Sequence, residues 1–353
     1  MKIVHIIHND KFINPFIDLI EKNFDKSEHL FIFLDGSDEK VFPIPETNNV
    51  LNINNQYGGK KNILKLSHIL NPLLEDADKV ILHSLFSTNL IFYLYLHQKY
   101  LKKCYWVLWG GDLYASINKP KSLKSKLNRY IKSRVIKRMG AIITYIKEGD
   151  YKVAQEHFNT KAKCYESFFY PSNLYEEYDI KPKEHATINI QIGNSADPTN
   201  NHVEVFEKLK KYKDEDIKII VPLSYGNPEN AKKVLAEGRQ IFGDKFKPLT
   251  EFMPFDKYIE LLGEIDIAIF NHNRQQAMGN ITTLLGLGKK VYVRNNQTPW
   301  KMFNKLQIKV FDTTLDISID RLDKSIQVQN EKKVKAYFSK DNLVKQWKNI
   351  LDN

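Results

Sequence analysis

Short apolar runs alternate with longer stretches of helical periodicity along the whole chain, and no other feature restricts the fold as much. In the first half the runs at 2–8, 30–34, 49–53, 79–83, 103–109, 140–145 and 163–168 read as strands. Amphipathic or polar stretches at 12–24, 60–70, 88–100, 122–139 and 148–158 separate most of them. Strands that alternate with helices need crossover connections, which predicts a parallel sheet covered on both faces. Ligands of such sheets bind beyond the carboxyl ends of the strands, so the strand-to-helix loops are the places to look for function.

The rhythm breaks at 171–186, which holds two prolines, several charges and no apolar period, and then restarts. Strands are expected at 187–192, 217–221, 265–270 and 290–294, and helices at 200–212, 228–241, 255–263 and 280–287. A chain of 353 residues exceeds the roughly 250–300 at which a single core stops growing. The reading is therefore two doubly wound α/β domains at 1–175 and 187–330, joined by a linker at 176–186. The tail 331–353 reads as one helix packing back toward the first domain, with Val334, Tyr337, Phe338, Leu343, Trp347 and Leu351 on its apolar positions. Apolar types at 42% and charged types at 27% exclude a disordered chain. Cys104 and Cys164, the only cysteines, are too few for a disulfide framework or a cysteine-built zinc site and fit a reducing compartment. The apolar start at Met1–His8 is too short for a leader, and Ile81–Leu96 is too short and too polar to span a bilayer. A cytoplasmic protein is expected.

Three loops of the second half carry polar groups suited to a ligand. The first, Gly193-Asn194-Ser195-Ala196-Asp197, follows a strand and opens onto a helix start where Asn201 and Glu204 resemble a capping box. The second contains Pro222, Ser224 and Tyr225. The third is the most informative: Asn271 to Asn280 includes Arg274, Gln275, Gln276 and Gly279 and leads into a helix. A guanidinium fork beside free N–H groups at a positive helix end is suited to a diphosphate. In the first half, Trp109-Gly110-Gly111-Asp112 ends a strand, as do Asp10 and His83. Asp112, Asp10 and His83 are the candidates for deprotonating an incoming hydroxyl, each with helix capping or packing as its alternative.

The net charge of +11 has one origin. Residues 99–138 hold twelve Lys and Arg against a single acid, Asp112, so this stretch alone accounts for the excess. Over 121–139, Leu123, Leu127, Tyr130, Ile131, Val135 and Met139 keep helical spacing. Such a helix can lie on an anionic bilayer, with Lys121, Lys124, Lys126, Arg129 and Lys132 as the contacting bases. Nucleic acid is the competing partner, but no nucleic-acid motif is present, and none is expected to bind.

Taken together, Trp109-Gly110-Gly111-Asp112-Leu113-Tyr114, Gly193-Asn194-Ser195 with Asp197, Asn200 and His202, Val221-Pro222 with Tyr225, and Arg274-Gln275-Gln276 with Gly279 resemble the bacterial 4-acetamido-4,6-dideoxygalactose (Fuc4NAc) transferase family. This is the family of the enterobacterial common antigen lipid II transferase, also called the 4-alpha-L-fucosyltransferase family. The resemblance implies a GT-B fold, two Rossmann-like domains facing a cleft. It implies a dTDP-sugar donor in the C-terminal domain and an undecaprenyl-diphosphate-linked saccharide in the N-terminal one, at the cytoplasmic face of the inner membrane. Gly193, Asn194, Ser195, Arg274, Gln275, Gln276 and Gly279 would be donor-side and Asp112 acceptor-side. The chain departs from the family pattern at Ala196, Ala277, Met278 and Asn280, where the family favours Gly, Gly, Ile and Thr. No metal or other cofactor is expected, because the acidic triplet Asp214-Glu215-Asp216 falls at a helix-to-strand turn, on the wrong edge of the sheet. A transferase for another nucleotide-sugar, an epimerase on the same fold and a polyanion-binding module are the alternatives.

Overall fold

A computed structural model of the chain describes residues 1–36, 39–54, 63–117, 122–178, 180 and 185–353. The chain divides into two compact units, Met1–Ser172 with Leu343–Asn353, and Asn173–Asn342. The predicted linker 176–186 lies partly outside the described residues, as do the predicted helix start at 60–62 and Lys121.

The first unit is built on seven strands, β1 (Ile3–Asn9), β2 (His29–Gly36), β3 (Val50–Asn52), β4 (Lys79–His83), β5 (Cys104–Val107), β6 (Ala141–Thr144) and β7 (Lys163–Glu166). All pairs are parallel, in the order β3-β2-β1-β4-β5-β6-β7. The strand order reverses between β1 and β4, so the loops after these two strands flank the switch point. All of β4 and nearly all of β1 are buried. This is why both read as unbroken apolar runs rather than alternating ones. Helix Ile13–Asn23 buries Ile13, Phe16, Ile17, Leu19 and Ile20. The end of the chain completes this core. Trp347 is fully buried, its ring 4.8 Å from that of Phe16 and its indole N–H donating to the carbonyl of Phe169 at 2.7 Å.

The second unit carries β8 (Ile188–Ile192), β9 (Ile217–Pro222), β10 (Phe246–Leu249), β11 (Ile267–Phe270), β12 (Lys290–Val293) and β13 (Phe311–Asp312). They are parallel in the order β10-β9-β8-β11-β12-β13, with the reversal between β8 and β11. Both units are thus doubly wound α/β structures. The tail departs from expectation: it forms two helices, Lys324–Tyr337 and Lys340–Asp352. Between them the ring of Phe338 is buried, and the Ser339 hydroxyl accepts from the Asn342 N–H at 3.3 Å, starting the second helix afresh. No helix among the described residues is long and apolar enough to cross a membrane.

Candidate active site

In the second unit the loops after β8, β9 and β11 are tied together by side chains. Gly193 has φ +66, and a Cβ there would sit 2.5 Å from Asn200 Oδ1 and 2.7 Å from His202 Nε2. Only glycine lets the chain turn this tightly over the helix behind it. The Asn194 N–H donates to Asn200 Oδ1 at 3.0 Å, and its amide donates to the Tyr225 hydroxyl at 2.7 Å. Asp197 Oδ1 accepts from the Thr199 N–H at 2.8 Å and from its hydroxyl at 2.5 Å, and Oδ2 lies 3.5 Å from Arg274 Nη2. Burial alone would raise the Asp197 carboxyl, but Thr199 and Arg274 hold it below its ordinary value. The Thr199 hydroxyl also lies 3.2 Å from Gln276 Oε1. Ser195 Oγ takes the Asp197 N–H at 3.3 Å.

The expected capping box at Asn201 and Glu204 is not formed. Asn201 is left-handed and donates to the carbonyls of Thr199 and Asn271, while Glu204 pairs with Arg294 at 2.5 Å. Competing partners just past the ends of β11 and β12 take both side chains. Pro222 is buried at the end of β9 and Ser224 is half-buried beyond it. Gly279 and Asn280 stand in the first turn of helix Met278–Gly286, where N–H groups lack helical partners.

This edge also carries unsatisfied polarity. Asn194 Oδ1, Asn271 Nδ2, Gln275 Oε1, Gln276 Nε2 and both ring nitrogens of His202 are buried without a partner among the described residues. Each such group costs roughly 1–3 kcal/mol, a cost that a polar ligand offsets. Burial holds His202 neutral, at about 4, and burial with the neighbouring Arg274 holds His272 at about 3. The sole cation of the loop, Arg274, keeps 24% of its side chain exposed.

The first unit uses its three sequence candidates differently. Asp112 is fully buried. Its Oδ2 accepts from the Leu85 N–H at 2.9 Å and the Trp106 indole at 2.7 Å, and its Oδ1 from the N–H groups of Trp109 at 3.1 Å and Leu113 at 3.0 Å. With every lone pair engaged it is a brace for the loops after β4 and β5, not a free base. His83 is also fully buried, within a chain of rings. The Trp109 indole donates to the Tyr170 hydroxyl at 2.8 Å, which lies 2.8 Å from His83 Nδ1. His83 Nε2 lies 3.0 Å from His5 Nδ1, and His5 Nε2 lies 2.9 Å from His29 Nδ1. An indole only donates, so the Tyr170 hydroxyl accepts from Trp109, and the chain continues through His83 and His5 to His29. Asp10 accepts the Lys11 N–H at 2.7 Å at the entry to helix Ile13–Asn23. A residue not among the candidates, His8, lies next to the last residue of β1 with Nδ1 2.7 Å from Asp35 Oδ1.

A family model described as 4-alpha-L-fucosyltransferase, glycosyl transferase group 56, matches residues 2–353. The chain belongs to this 4-alpha-L-fucosyltransferase family. Its architecture recurs in solved structures. A glycosyltransferase from Rickettsia africae ESF-5 superposes with a TM-score of 0.67 at 15% identity, over 99% of this chain and 97% of the other. Sucrose-phosphate synthase from Thermosynechococcus elongatus gives 0.69 at 8% identity, over 100% and 98%. The E. coli trehalose-6-phosphate structure bound with UDP-2-fluoro glucose gives 0.67 at 10% identity, over 100% and 98%. The fold is GT-B, and this fucosyltransferase-family chain is a glycosyltransferase.

The basic helix of this family member, Leu123–Ile136, does not bury the single stripe its periodicity suggested. Ile131, Val135 and Ile136 face inward, whereas Leu123, Leu127 and Tyr130 are 84%, 57% and 54% exposed. Lys124 and Lys126 flank that outward stripe and are exposed, and Arg129 is half-buried. Lys132 is a correction: it is buried, and its Nζ donates to the carbonyls of Leu85 and Asp112 at 2.8 Å each. Its place among Ile131, Val135 and Ile136 turns it away from any surface. On helix Thr88–Leu96, Phe92 and Leu96 are exposed too.

Proposed function

We propose that the protein transfers a deoxy-amino sugar, Fuc4NAc or a close relative, from a dTDP-sugar to an undecaprenyl-diphosphate-linked saccharide at the cytoplasmic face of the inner membrane. The observation that carries the reading is the loop after β11. There Arg274 is held only loosely by Asp197, beside Gln275 Oε1 and Gln276 Nε2, which have no partner among the described residues, and the first turn of helix Met278–Gly286. A leaving nucleoside diphosphate develops negative charge, and donors fixed in advance at that position stabilise it. Gly193, Asn194, Ser195 and Tyr225 form the rest of the donor site, with Pro222 and Ser224 shaping the neighbouring turn. The lipid part of the reading rests on Leu123, Leu127 and Tyr130, an outward apolar stripe flanked by bases. That pattern suits partition into an anionic interface.

The test is release of free nucleotide by the purified protein from a panel of dTDP- and UDP-sugars, with and without an undecaprenyl-diphosphate-linked disaccharide. Acceptor-dependent release from dTDP-Fuc4NAc is expected. Release from UDP-sugars alone, or transfer only to water-soluble acceptors, would overturn the donor or the acceptor assignment respectively.

A further inference from the structure

Of the groups at the carboxyl edge of the first sheet, His8 has the arrangement of a base. Asp112 and His83 have their polar atoms engaged inside the protein. His8 lies one residue before the end of β1 and Asp35 sits beside it on β2, where the parallel register pairs the two residues just past a bulge between Ile7 and His8. Gly36 allows this close approach. Its φ is +134, and a Cβ there would fall 2.1 Å from the Asn9 backbone nitrogen. His8 Nδ1 lies 2.7 Å from Asp35 Oδ1, and the two side chains are 27% and 29% exposed. A carboxylate only accepts, so Nδ1 carries a proton, and in the neutral ring the lone pair is then on Nε2. Nε2 makes no hydrogen bond to any described residue. The ring packs 5.3 Å from Phe86 and 5.9 Å from Trp109, uncharged rings that offer an apolar platform to the face of a sugar. Asp35 is its ion-pair partner among the described residues.

We propose that His8 is the general base of the transfer reaction and that Asp35 is its positioning residue. The inference rests on the glycosyl-transfer reading above, but not on which sugar is moved. His8 Nε2 takes the proton from the acceptor hydroxyl as its O–H bond breaks. The oxygen forms a bond to the anomeric carbon, and the bond from that carbon to the diphosphate oxygen breaks, its electron pair leaving with the nucleoside diphosphate. Asp35 holds the ring and balances the imidazolium, which then returns its proton to water. A single displacement of this kind inverts the anomeric configuration.

Two measurements test this. Long-range nitrogen–proton spectra of histidine-labelled protein report the tautomer directly: His8 should carry its proton on Nδ1 in the parent and lose that preference in Asp35→Asn. A parent His8 protonated on Nε2 overturns the assignment, and this arm decides even where no donor is turned over. Where acceptor-dependent transfer is seen, His8→Gln should lower kcat about a hundredfold or more. Nucleotide affinity and melting temperature should stay as in the parent, and the product should have the inverted linkage by NMR. Asp35→Asn should lower kcat less than His8→Gln does, with KM little changed. Parent-like kcat in His8→Gln, or a retained linkage, sinks the base role. Failure of the parent to use any lipid-linked acceptor sinks the substrate reading instead.

Discussion

Lys132 Nζ donates to the main-chain carbonyl of Asp112 at 2.8 Å, beneath a carboxylate that itself accepts four hydrogen bonds. Burial lowers the lysine to about 8 and raises the Asp112 carboxyl, each opposed by the charge of the other. Removing one partner leaves the other buried and uncompensated. Lys132→Met should therefore destabilise the first unit by roughly 3–5 kcal/mol. It should not weaken vesicle binding once the protein is folded. A urea midpoint equal to that of the parent would show that Asp112 does not depend on this cation.

Acid should unfold the protein early. His29 is depressed to about 4 and His83 to about 3 by burial, and burial holds His5 well below the ordinary histidine value. In the second unit His202 lies at about 4 and His272 at about 3. Each group is neutral when folded and protonates more readily when unfolded. The stability they contribute is thus complete above the unfolded value of about 6.5 and lost as pH falls from there toward 4 and 3. The slope is up to about 1.4 kcal/mol per pH unit for each histidine. Urea midpoints at pH 7.5 and pH 5.0 measure it, and equal midpoints would contradict the buried neutral chain.

Arg274→Ala should weaken dTDP binding while leaving the melting temperature near that of the parent. A lost charge-assisted contact is worth roughly 1.5–3 kcal/mol, a tenfold to hundredfold rise in Kd by calorimetry. Unchanged affinity would remove Arg274 from the donor site.

Gly193→Ala tests the neighbouring turn. The added methyl would meet Asn200 and His202 at a left-handed backbone position, which by itself costs about 1–2 kcal/mol. Nucleotide binding should fall with a clear loss of thermal stability. A melting temperature equal to that of the parent would refute the crowding argument.

The proposed lipid contact can be tested apart from both sites. Replacing Leu123 and Leu127 by Ser should release the protein from anionic vesicles even at low salt. Replacing Lys124, Lys126 and Arg129 by Gln should release it only as salt rises toward physiological strength, because each base near the surface is worth about 1 kcal/mol and is screened beyond a Debye length. Cosedimentation of both variants at parent levels would mark the helix as a solvated face.

The parallel sheets were legible because buried strands leave unbroken apolar runs, and β4 was expected at 79–83, where it lies. The strand β10, Phe-Lys-Pro-Leu, was missed: it is an edge strand of four residues with a lysine and a proline inside, and its only pairing is with β9. In helix Leu123–Ile136 spacing alone merged two faces, since Leu123, Leu127 and Tyr130 stand opposite the side that carries Lys132. The loops proposed to hold the donor stood out by their concentration of polar residues at strand ends. His8 was not, because its meaning comes from Asp35, which is distant in sequence and becomes its neighbour only once β2 lies beside β1. Asp112 misled for a related reason: a carboxylate at a strand end looks reactive until the N–H groups that claim it are placed.

Trp347 fills the core of the first unit from the far side of the entire second unit in sequence. A ribosome making this chain must therefore complete the whole second unit before it can release the residue that seals the first. Until then the surface around Phe16 and His83 is open to chaperones and proteases. A stop codon a few residues before Trp347 would leave the first unit without the ring that packs on Phe16 and His83.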